Sequence, residues 1–377
     1  GKVMGMAAYG TDALVEKFAD LVILKDDGDY ALNMDYFCFD IYGEKHPFTR
    51  KFYETFGQPD EDCSKPGQHQ LDLAFALQAI TERTIIHVAR GVQEASAQKK
   101  LVFTGGVAMN CVANAKILEQ TGFDEIWVPP NASDAGVPLG AALYHYHQTC
   151  SKPRLGELRT PFHGTEYSDT EIEIALKDAG LSYRKLDEAE LIENTADALT
   201  GGKIIGWFQG RFEMGPRALG NRSILADPRR KEMKDTINAR IKHREGFRPF
   251  APAVLREHAS DWFHIDQPDP FMTIAPRVRH EKADKIPAVV HADGTGRFQT
   301  VERAINPRYY DLISAFEKRT GVPVLLNTSF NKQEPIVTGP AEAISCYLRT
   351  DMDVLVLGNF YVDDRNDAAV RRAKELF

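Results

Sequence analysis

The residues best suited to chemistry in this sequence are arginines, and they are concentrated in a few short segments. The segment Gly210 to Lys231, "GRFEMGPRALGNRSILADPRRK", contains five arginines and one lysine around a Gly-Pro pair. A guanidinium group can bind phosphate or carboxylate through two parallel hydrogen bonds, which suits arginine to anion recognition. Because the formal net charge of the chain is -8, this cluster does not simply follow from a basic composition. The segment therefore predicts either a solvated loop or a site for an anion.

Three further segments carry similar side chains: "ARIKHREGFRPFAP", "HADGTGRFQTV" and "LLNTSFNKQEPIV". Arg217, Arg248 and Arg297 each lie beside a turn-forming Gly or Pro, and Asn327 follows an apolar strand pattern. Each segment alone is also typical of a solvated turn. Together they favour one pocket for a polyphosphate and a second anion. No Ser-His-Asp order, paired-carboxylate pattern or GxxxxGK[ST] motif accompanies them in the sequence.

The first part of the chain contains two weaker candidates. In "FTGGVAMN", Gly105 and Gly106 join a predicted strand to a predicted helix near Asn110. Such a turn lets a phosphate approach the free N–H groups of a helix start, although it is equally typical of a purely structural turn. In "NASDAGVPLGAA", Asp134 precedes a run of small residues. We interpret it either as a helix cap or as a carboxylate ligand for a metal beside a nucleotide phosphate.

The elements that would position these residues alternate between strands and helices, which indicates an α/β fold. "LVILKDDGDYALNMDYFCFD" predicts two strands joined by an Asp-Gly turn, and residues 70–98 predict an amphipathic helix. "GKIIGWFQG", "VPVLLNTSF" and "DVLVLGNFYV" predict later strands. A polar, Pro-containing segment at 151–164 predicts a linker between a domain of residues 1–150 and a domain of residues 165–377.

Composition narrows the class of protein. The hydrophobic fraction of 43% and the charged fraction of 27% are those of a globular protein. The acidic balance argues against nonspecific binding to nucleic acid, and no apolar run approaches the roughly 18 residues of a membrane helix. The five cysteines are scattered without metal-ligand spacing, so we expect reduced thiols and a cytoplasmic location.

Several blocks closely resemble the carbamoyltransferase family that includes the nodulation protein NodU and the antibiotic O-carbamoyltransferases. The resemblance extends over nearly the whole chain, in the order "GKVMGMAAYG", "FTGGVAMNCVAN", "SDAGVPLGAAL", "GRFEMGPRALGNRSILADPR", "REGFRPFAPAVL", "HADGTGRFQTV" and "NTSFNKQEPIV". It implies part of an actin-like ATPase (Kae1-like) domain followed by a YrdC-like α/β domain. The second domain would form carbamoyl-adenylate from carbamoyl phosphate and ATP, and the first would transfer the carbamoyl group to an acceptor hydroxyl.

The resemblance also implies roles for individual residues. Those that would bind ATP and carbamoyl phosphate are Arg217, Arg248, Arg297 and Asn327, supported by Ser329 and Asn331. Those that would contact nucleotide at the transfer site are Gly105, Gly106, Asn110 and Gly136. Asp134 would be a ligand of a divalent metal there, Fe or Mg. Independently of the resemblance, the positions of Arg222 and Arg229 in the segment Gly210 to Lys231 indicate that these two side chains brace the loop.

Members of this family carry a further N-terminal segment with an HxxxH pair that completes the metal site. We therefore expect this chain to bind the metal weakly and to retain only the adenylation half-reaction. We also expect exposed apolar surface that favours association of the chain with itself, for instance as a homodimer, or with the missing N-terminal segment. The acceptor would be a small molecule such as an antibiotic, a sugar or an oligosaccharide. The alternatives are a threonylcarbamoyl-type tRNA modification protein and an inactive nucleotide-binding fragment.

Overall fold

The computed structural model describes residues 1–59, 66–154 and 156–365. Cys63 of the predicted thiols and Leu155 of the predicted linker lie outside these residues. The chain divides into two compact units, one of Gly1–Phe103 with Asn110–Trp127 and the other of Thr104–Met109 with Val128–Phe377. Val128 to Cys150 thus belong to the second unit, and the predicted domain boundary at residue 150 stays a prediction.

The first unit is mainly helical. Its helices and strands are α1 Lys2–Ala7, α2 Val15–Ala19, β1 Val22–Leu24, β2 Tyr30–Leu32, α3 Phe39–Tyr42, α4 Arg50–Phe56, α5 Gln68–Ser96, β3 Lys100–Val102, α6 Cys111–Gln120 and β4 Glu125–Trp127. Strands β1 and β2 pair antiparallel across the predicted turn, where Gly28 has a φ of 83°. Strands β3 and β4 pair parallel. Aromatic residues of α2 and α4, Phe18 and Phe56, pack against α5 in the core of this unit.

The second unit is built on a sheet of eight strands. Its elements are α7 Val137–Tyr144, α8 Asp169–Asp178, β5 Arg184–Lys185, α9 Glu188–Thr200, β6 Ile205–Phe208, β7 Arg222–Ala226, α10 Met233–Ile237, β8 Ala251–Leu255, α11 Ala259–Trp262, α12 His280–Ala283, β9 Gln299–Val301, α13 Pro307–Thr320, β10 Val324–Ser329, α14 Pro340–Arg349, β11 Val354–Leu357 and β12 Phe360–Val362. The strand order is β5-β12-β11-β6-β7-β10-β8-β9. This mixed sheet with its helices confirms the predicted α/β class.

The central strands are buried on both faces, since every residue of β6, β7, β8 and β11 is buried. Helix α13 packs against α9. The residues at its two ends explain where it begins and ends. Asn306 caps its first turn by accepting a hydrogen bond from the Tyr309 amide, Pro307 occupies the first helical position, and Gly321 ends it with a φ of 71°. Within the described ranges, no helix combines the length and apolar character needed to cross a membrane.

Candidate functional site

The directions of five strands bring the four Arg- and Asn-containing segments to one edge of the sheet. Strands β7 and β8 both run antiparallel to β10, β9 runs parallel to β8, and β6 runs antiparallel to β7. The segments that enter β7, β8 and β9 therefore lie at the edge where β10 ends. They are residues 210–221, 243–250 and 291–298, and β10 ends at Ser329. Segments up to about 120 residues apart in sequence thus converge because of the sheet topology.

Arg217 lies in the loop between β6 and β7, and its side chain is half-buried. Gly215 adopts a φ of 99°, and a Cβ atom there would lie 2.2 Å from the Pro130 carbonyl oxygen. Glycine is therefore required at this position both for the backbone conformation and for the close approach. The side-chain amide of Asn327 donates to the Ala218 carbonyl at 3.2 Å, which ties Asn327 to the residue next to Arg217.

Two other arginines of this segment are structural, as expected from the sequence. The guanidinium of Arg222 is fully buried, lies 3.6 Å from the Phe208 ring centroid and donates to backbone carbonyls. Burial lowers the pKa of Arg222 to about 10. Arg229 forms an ion pair of 2.7 Å with the buried Asp227 carboxylate, which raises the pKa of Arg229. Arg222 therefore braces the sheet edge where β7 begins, whereas Arg229 braces the opposite edge, where β7 ends.

Lys242 is a second deeply buried cation at this edge. It ends a π-helical turn, Asn238–Lys242, and only 2% of the residue is exposed. Its Nζ atom donates to the Ser329 carbonyl at 2.6 Å, the Asn331 carbonyl at 2.7 Å and the Asn331 Oδ1 atom at 2.7 Å. Burial, with the neighbouring Arg244 next in effect, lowers the pKa of Lys242 to about 7. The predicted residues Ser329 and Asn331 thus hold this lysine.

The guanidinium groups of Arg244 and Arg248 lie near Lys242, and that of Arg297 lies near Arg244. Burial first, and then the charges of Arg248 and Arg297, lower the pKa of Arg244 to about 10. The Nε atom of Arg297 is buried without a hydrogen-bond partner among the described residues. Burial lowers the pKa of His291, and the charge of Arg297 contributes to this lowering. The side chains of Arg244, Arg248, Arg297 and Lys242 therefore form a group of mutually repelling cations, which we call the anion pocket.

Asn327 and Gln299 connect the anion pocket segments to the loop of Arg217. The Asn327 side chain is buried and donates to Gln299 Oε1 at 3.2 Å, and Gln299 Nε2 donates to the Leu219 carbonyl at 2.8 Å. The Asn327 Oδ1 atom is buried and has no hydrogen-bond partner in the described part of the chain. Sequence-predicted Asn327 therefore lies inside the network, with one acceptor atom unused.

The residues predicted to contact nucleotide at the transfer site are arranged differently from those of the anion pocket. Gly105 and Gly106 are exposed, Gly105 has a φ of 96°, and a Cβ atom on either would meet no atom within 4 Å. The Gly105 amide donates to the Ala132 carbonyl at 2.7 Å. This turn therefore has the open backbone that contact with a nucleotide requires. Gly136 instead fills a tight contact, since a Cβ atom there would lie 2.3 Å from the Asn131 carbonyl oxygen.

Asn110 belongs to the first unit and caps α6. Its Oδ1 atom accepts from the Ala113 amide at 3.2 Å, and its Nδ2 atom donates to Gln78 at 3.0 Å. Asp134 is exposed and begins a short 3-10 helix, Asp134–Gly136, without capping it through its side chain. Across residues 1–59, 66–154 and 156–365, no group of three or more His, Cys, Asp or Glu side chains is arranged to hold a metal. The described residues therefore provide Asp134 as one candidate ligand and do not form a complete metal site.

Lys242 and Glu213 were not predicted as site residues. Lys242 lies in the segment "ARIKHREGFRPFAP" together with Arg240, Arg244 and Arg248, but a lysine in a helical pattern is typical of a solvated face. Its position in this basic cluster, close to the turn at Glu245-Gly246, is the signal that marks it in the sequence. Glu213, whose Oε1 atom accepts hydrogen bonds from the amides of Leu219, Asn221 and Arg222, carries no such signal, because backbone amides leave no trace in the sequence.

Comparison with known proteins identifies the family of this chain. Residues 1–143 match the family model described as carbamoyltransferase N-terminus, and residues 196–364 match the model described as carbamoyltransferase C-terminus. The nodulation protein NolO of Bradyrhizobium diazoefficiens is 42% identical over 97% of this chain and 65% of its own length. The 3'-hydroxymethylcephem-O-carbamoyltransferase of Amycolatopsis lactamdurans is 34% identical over 88% of this chain and 58% of its own length.

The nodulation protein NolNO of Sinorhizobium fredii is 41% identical over 97% of this chain. The chain spans 53% to 65% of the length of these three relatives. Both family models are matched in order, and the segments that meet at the sheet edge fall within the C-terminal model, so this chain belongs to the carbamoyltransferase family.

Proposed function

We propose that the anion pocket binds ATP and carbamoyl phosphate and forms carbamoyl-adenylate. In this reaction one water molecule converts carbamoyl phosphate to carbamate and phosphate. An oxygen of carbamate then attacks the α-phosphorus of ATP, and pyrophosphate leaves. Four neighbouring cations would stabilise the negative charge of the phosphates and of the transition state. The observation that carries the proposal is the convergence of Lys242, Arg244, Arg248 and Arg297 at one sheet edge, where their charges repel each other.

Individual residues would contribute in different ways. Arg248 and Arg297 would neutralise phosphate oxygens, and the unpartnered Nε atom of Arg297 is a donor ready for this purpose. Lys242, fixed by Ser329 and Asn331, would supply a charge whose position is set before the ligand binds. Such preorganised charge is what electrostatic stabilisation of a transition state requires.

The second half of the proposed activity is transfer of the carbamoyl group to a hydroxyl of a small-molecule acceptor. The relative named as a cephem O-carbamoyltransferase supports this class of acceptor. The open turn at Gly105 and Gly106 would contact nucleotide, and Asp134 would hold a divalent metal together with ligands beyond the described residues. The metal would polarise oxygen atoms near the transferred group.

The test of the adenylation step is release of pyrophosphate from ATP that depends on carbamoyl phosphate. We expect Arg248→Ala to lower kcat/KM for ATP by about a hundredfold, because a charge-assisted contact to phosphate is lost. The matched control is Arg303→Ala, which removes an exposed arginine bound to Asp311. Absence of carbamoyl-phosphate-dependent release, or an equal effect of the two substitutions, would contradict the proposal. Release that requires threonine and bicarbonate instead would favour a threonylcarbamoyl-type enzyme.

A further inference from the structure

The backbone of the loop that carries Arg217 is held in place by buried side chains. We call residues 213–222 the Arg217 loop. Three of its consecutive carbonyl groups each accept a hydrogen bond from a side chain of the sheet. These bonds are Asn327 Nδ2 to Ala218 at 3.2 Å, Gln299 Nε2 to Leu219 at 2.8 Å and Trp207 Nε1 to Gly220 at 2.9 Å.

The amide groups of the same loop converge on one carboxylate oxygen. Glu213 Oε1 accepts from the amides of Leu219 at 2.9 Å, Asn221 at 2.8 Å and Arg222 at 2.9 Å. The amide of Gly220, which lies between them, donates to Ser223 Oγ at 3.0 Å. The loop backbone therefore folds around the Glu213 carboxylate. Arg217 lies in sequence between Glu213 and Leu219, the first of the three amide donors.

Glu213 is buried, which is unusual for a carboxylate in an ordinary turn. Only 3% of the residue is exposed, and burial raises its pKa despite the three amide donors. Its Oε2 atom has no hydrogen-bond partner among the described residues. The Tyr309 ring packs so closely on Gly220 that a Cβ atom there would lie 2.3 Å from it. A buried, partly unsatisfied carboxylate is costly to fold, and holding a site residue in position accounts for its presence.

We propose that Glu213 is the positioning residue of Arg217. Its carboxylate folds the Arg217 loop so that the Arg217 guanidinium is held ready for ATP and carbamoyl phosphate, while Glu213 itself touches neither. This inference rests on the proposed function, because it requires Arg217 to bind one of these substrates. It deepens that function by identifying how the position of Arg217 is fixed.

The test compares two substitutions of Glu213 in the full chain, with ATP and Mg²⁺ as the probe and carbamoyl phosphate left out to prevent turnover. Glu213→Met keeps the volume but removes the acceptor, and we expect it to weaken ATP binding by about ten- to hundredfold in calorimetric titration. Glu213→Gln keeps an acceptor for the three amides and should restore affinity to within about threefold of the original. Glu166→Gln, at an exposed glutamate, is the matched control.

A double-mutant cycle with Arg217→Ala separates positioning from general damage. If Glu213 acts through Arg217, Glu213→Met changes ATP affinity by less than about threefold in the Arg217→Ala background. Fully additive losses would overturn the inference and leave the proposed function intact. Unchanged affinity in Arg217→Ala alone would instead overturn the role of Arg217, and with it the inference.

A second variant covers the case in which Glu213→Met does not fold. Gln299→Met removes the bond to the Leu219 carbonyl, together with the acceptor of Asn327 Nδ2, and leaves the carboxylate in place. We expect a weaker loss of ATP affinity, which Arg217→Ala again suppresses. Additivity of Gln299→Met with Arg217→Ala would count against a positioned loop.

Discussion

The anion pocket and the turn at Gly105 hold their candidate residues in different ways. Lys242 of the pocket and Asn327 of the adjoining network are buried, and each donates hydrogen bonds to residues 87 to 109 positions away in sequence. In the turn, Gly105 and Gly106 are exposed, and Asp134 begins a short helix without burying its carboxylate. The first arrangement fixes charge before a ligand arrives, whereas the second offers open backbone. Preorganisation of charge is thus confined to the proposed adenylation site.

Arg222 should give the largest effect, because it supports the preorganised region from within. It donates to the backbone carbonyls of Gln209, Asn221, Gly210, Thr165 and Thr338. Arg222→Met would leave several of these groups buried without a donor, and we expect the free energy of unfolding to fall by about 3–5 kcal/mol. Chemical denaturation measures this change. Arg303→Met, at an exposed position, should change it by less than about 1 kcal/mol, and a similarly small loss for Arg222→Met would contradict the bracing role.

Lys242 is expected to give the next largest effect, and here the quantity of interest is ATP binding. It is measured on variant protein that is shown to be folded, because substitution of Lys242 also removes the bonds to Ser329 and Asn331. Lys242→Met should weaken ATP binding by about ten- to hundredfold, because a buried charge next to the phosphates is removed. Burial lowers the pKa of Lys242 to about 7, so ATP affinity in the original protein should fall as the pH rises through that value. Calorimetric titration on both sides of the pKa measures this dependence. A pH dependence that survives Lys242→Met would assign it to another group.

The same lysine predicts a pH dependence of stability. Its pKa is about 7 in the folded chain against an ordinary value of 10.5, so between these values the unfolded chain binds more protons than the folded chain. The free energy of unfolding in the absence of ligand should therefore rise with pH across this window. Lys242→Met should remove much of the rise. A rise of unchanged size in the variant would show that Lys242 keeps an ordinary pKa in the folded protein.

Two glycines with positive φ, Gly215 and Gly105, allow the backbones of the two regions to be compared. Gly215→Ala introduces both strain and a contact of 2.2 Å with the Pro130 carbonyl oxygen, so we expect a loss of about 2–5 kcal/mol. Gly105→Ala introduces strain alone, because its surroundings are open, and should cost about 1–2 kcal/mol. Gly246→Ala, in open space and without positive φ, is the control for thermal unfolding. Equal losses at Gly215 and Gly105 would show that the close approach to Pro130 relaxes without cost.

Residue types and turn signals were enough to predict the α/β class, the hairpin at Asp27-Gly28 and the helix that the structure places at Gln68–Ser96. They also identified the four segments of the sheet edge. Their convergence could not be derived from local patterns, because it depends on the directions of β7, β8, β9 and β10 in one sheet. Lys242 and Glu213 escaped prediction for the same reason, since burial by distant segments gives them their properties.

Substitution of Asp134 should have the smallest effect on stability. It should also distinguish most clearly between the anion pocket and the region of Gly105 and Asp134. Its carboxylate is exposed and caps no helix, so Asp134→Ala should change the free energy of unfolding by less than about 0.5 kcal/mol. Because Asp134 has no place in the anion pocket, carbamoyl-phosphate-dependent pyrophosphate release should also keep its rate in this variant. We expect a loss only in the transfer of the carbamoyl group to an acceptor hydroxyl. This loss is measured as the amount of carbamoylated acceptor formed, in a protein that catalyses the transfer. Slower pyrophosphate release in Asp134→Ala would mean that the two regions do not act as separate sites, because a residue of the open region would then be supporting the chemistry of the preorganised one.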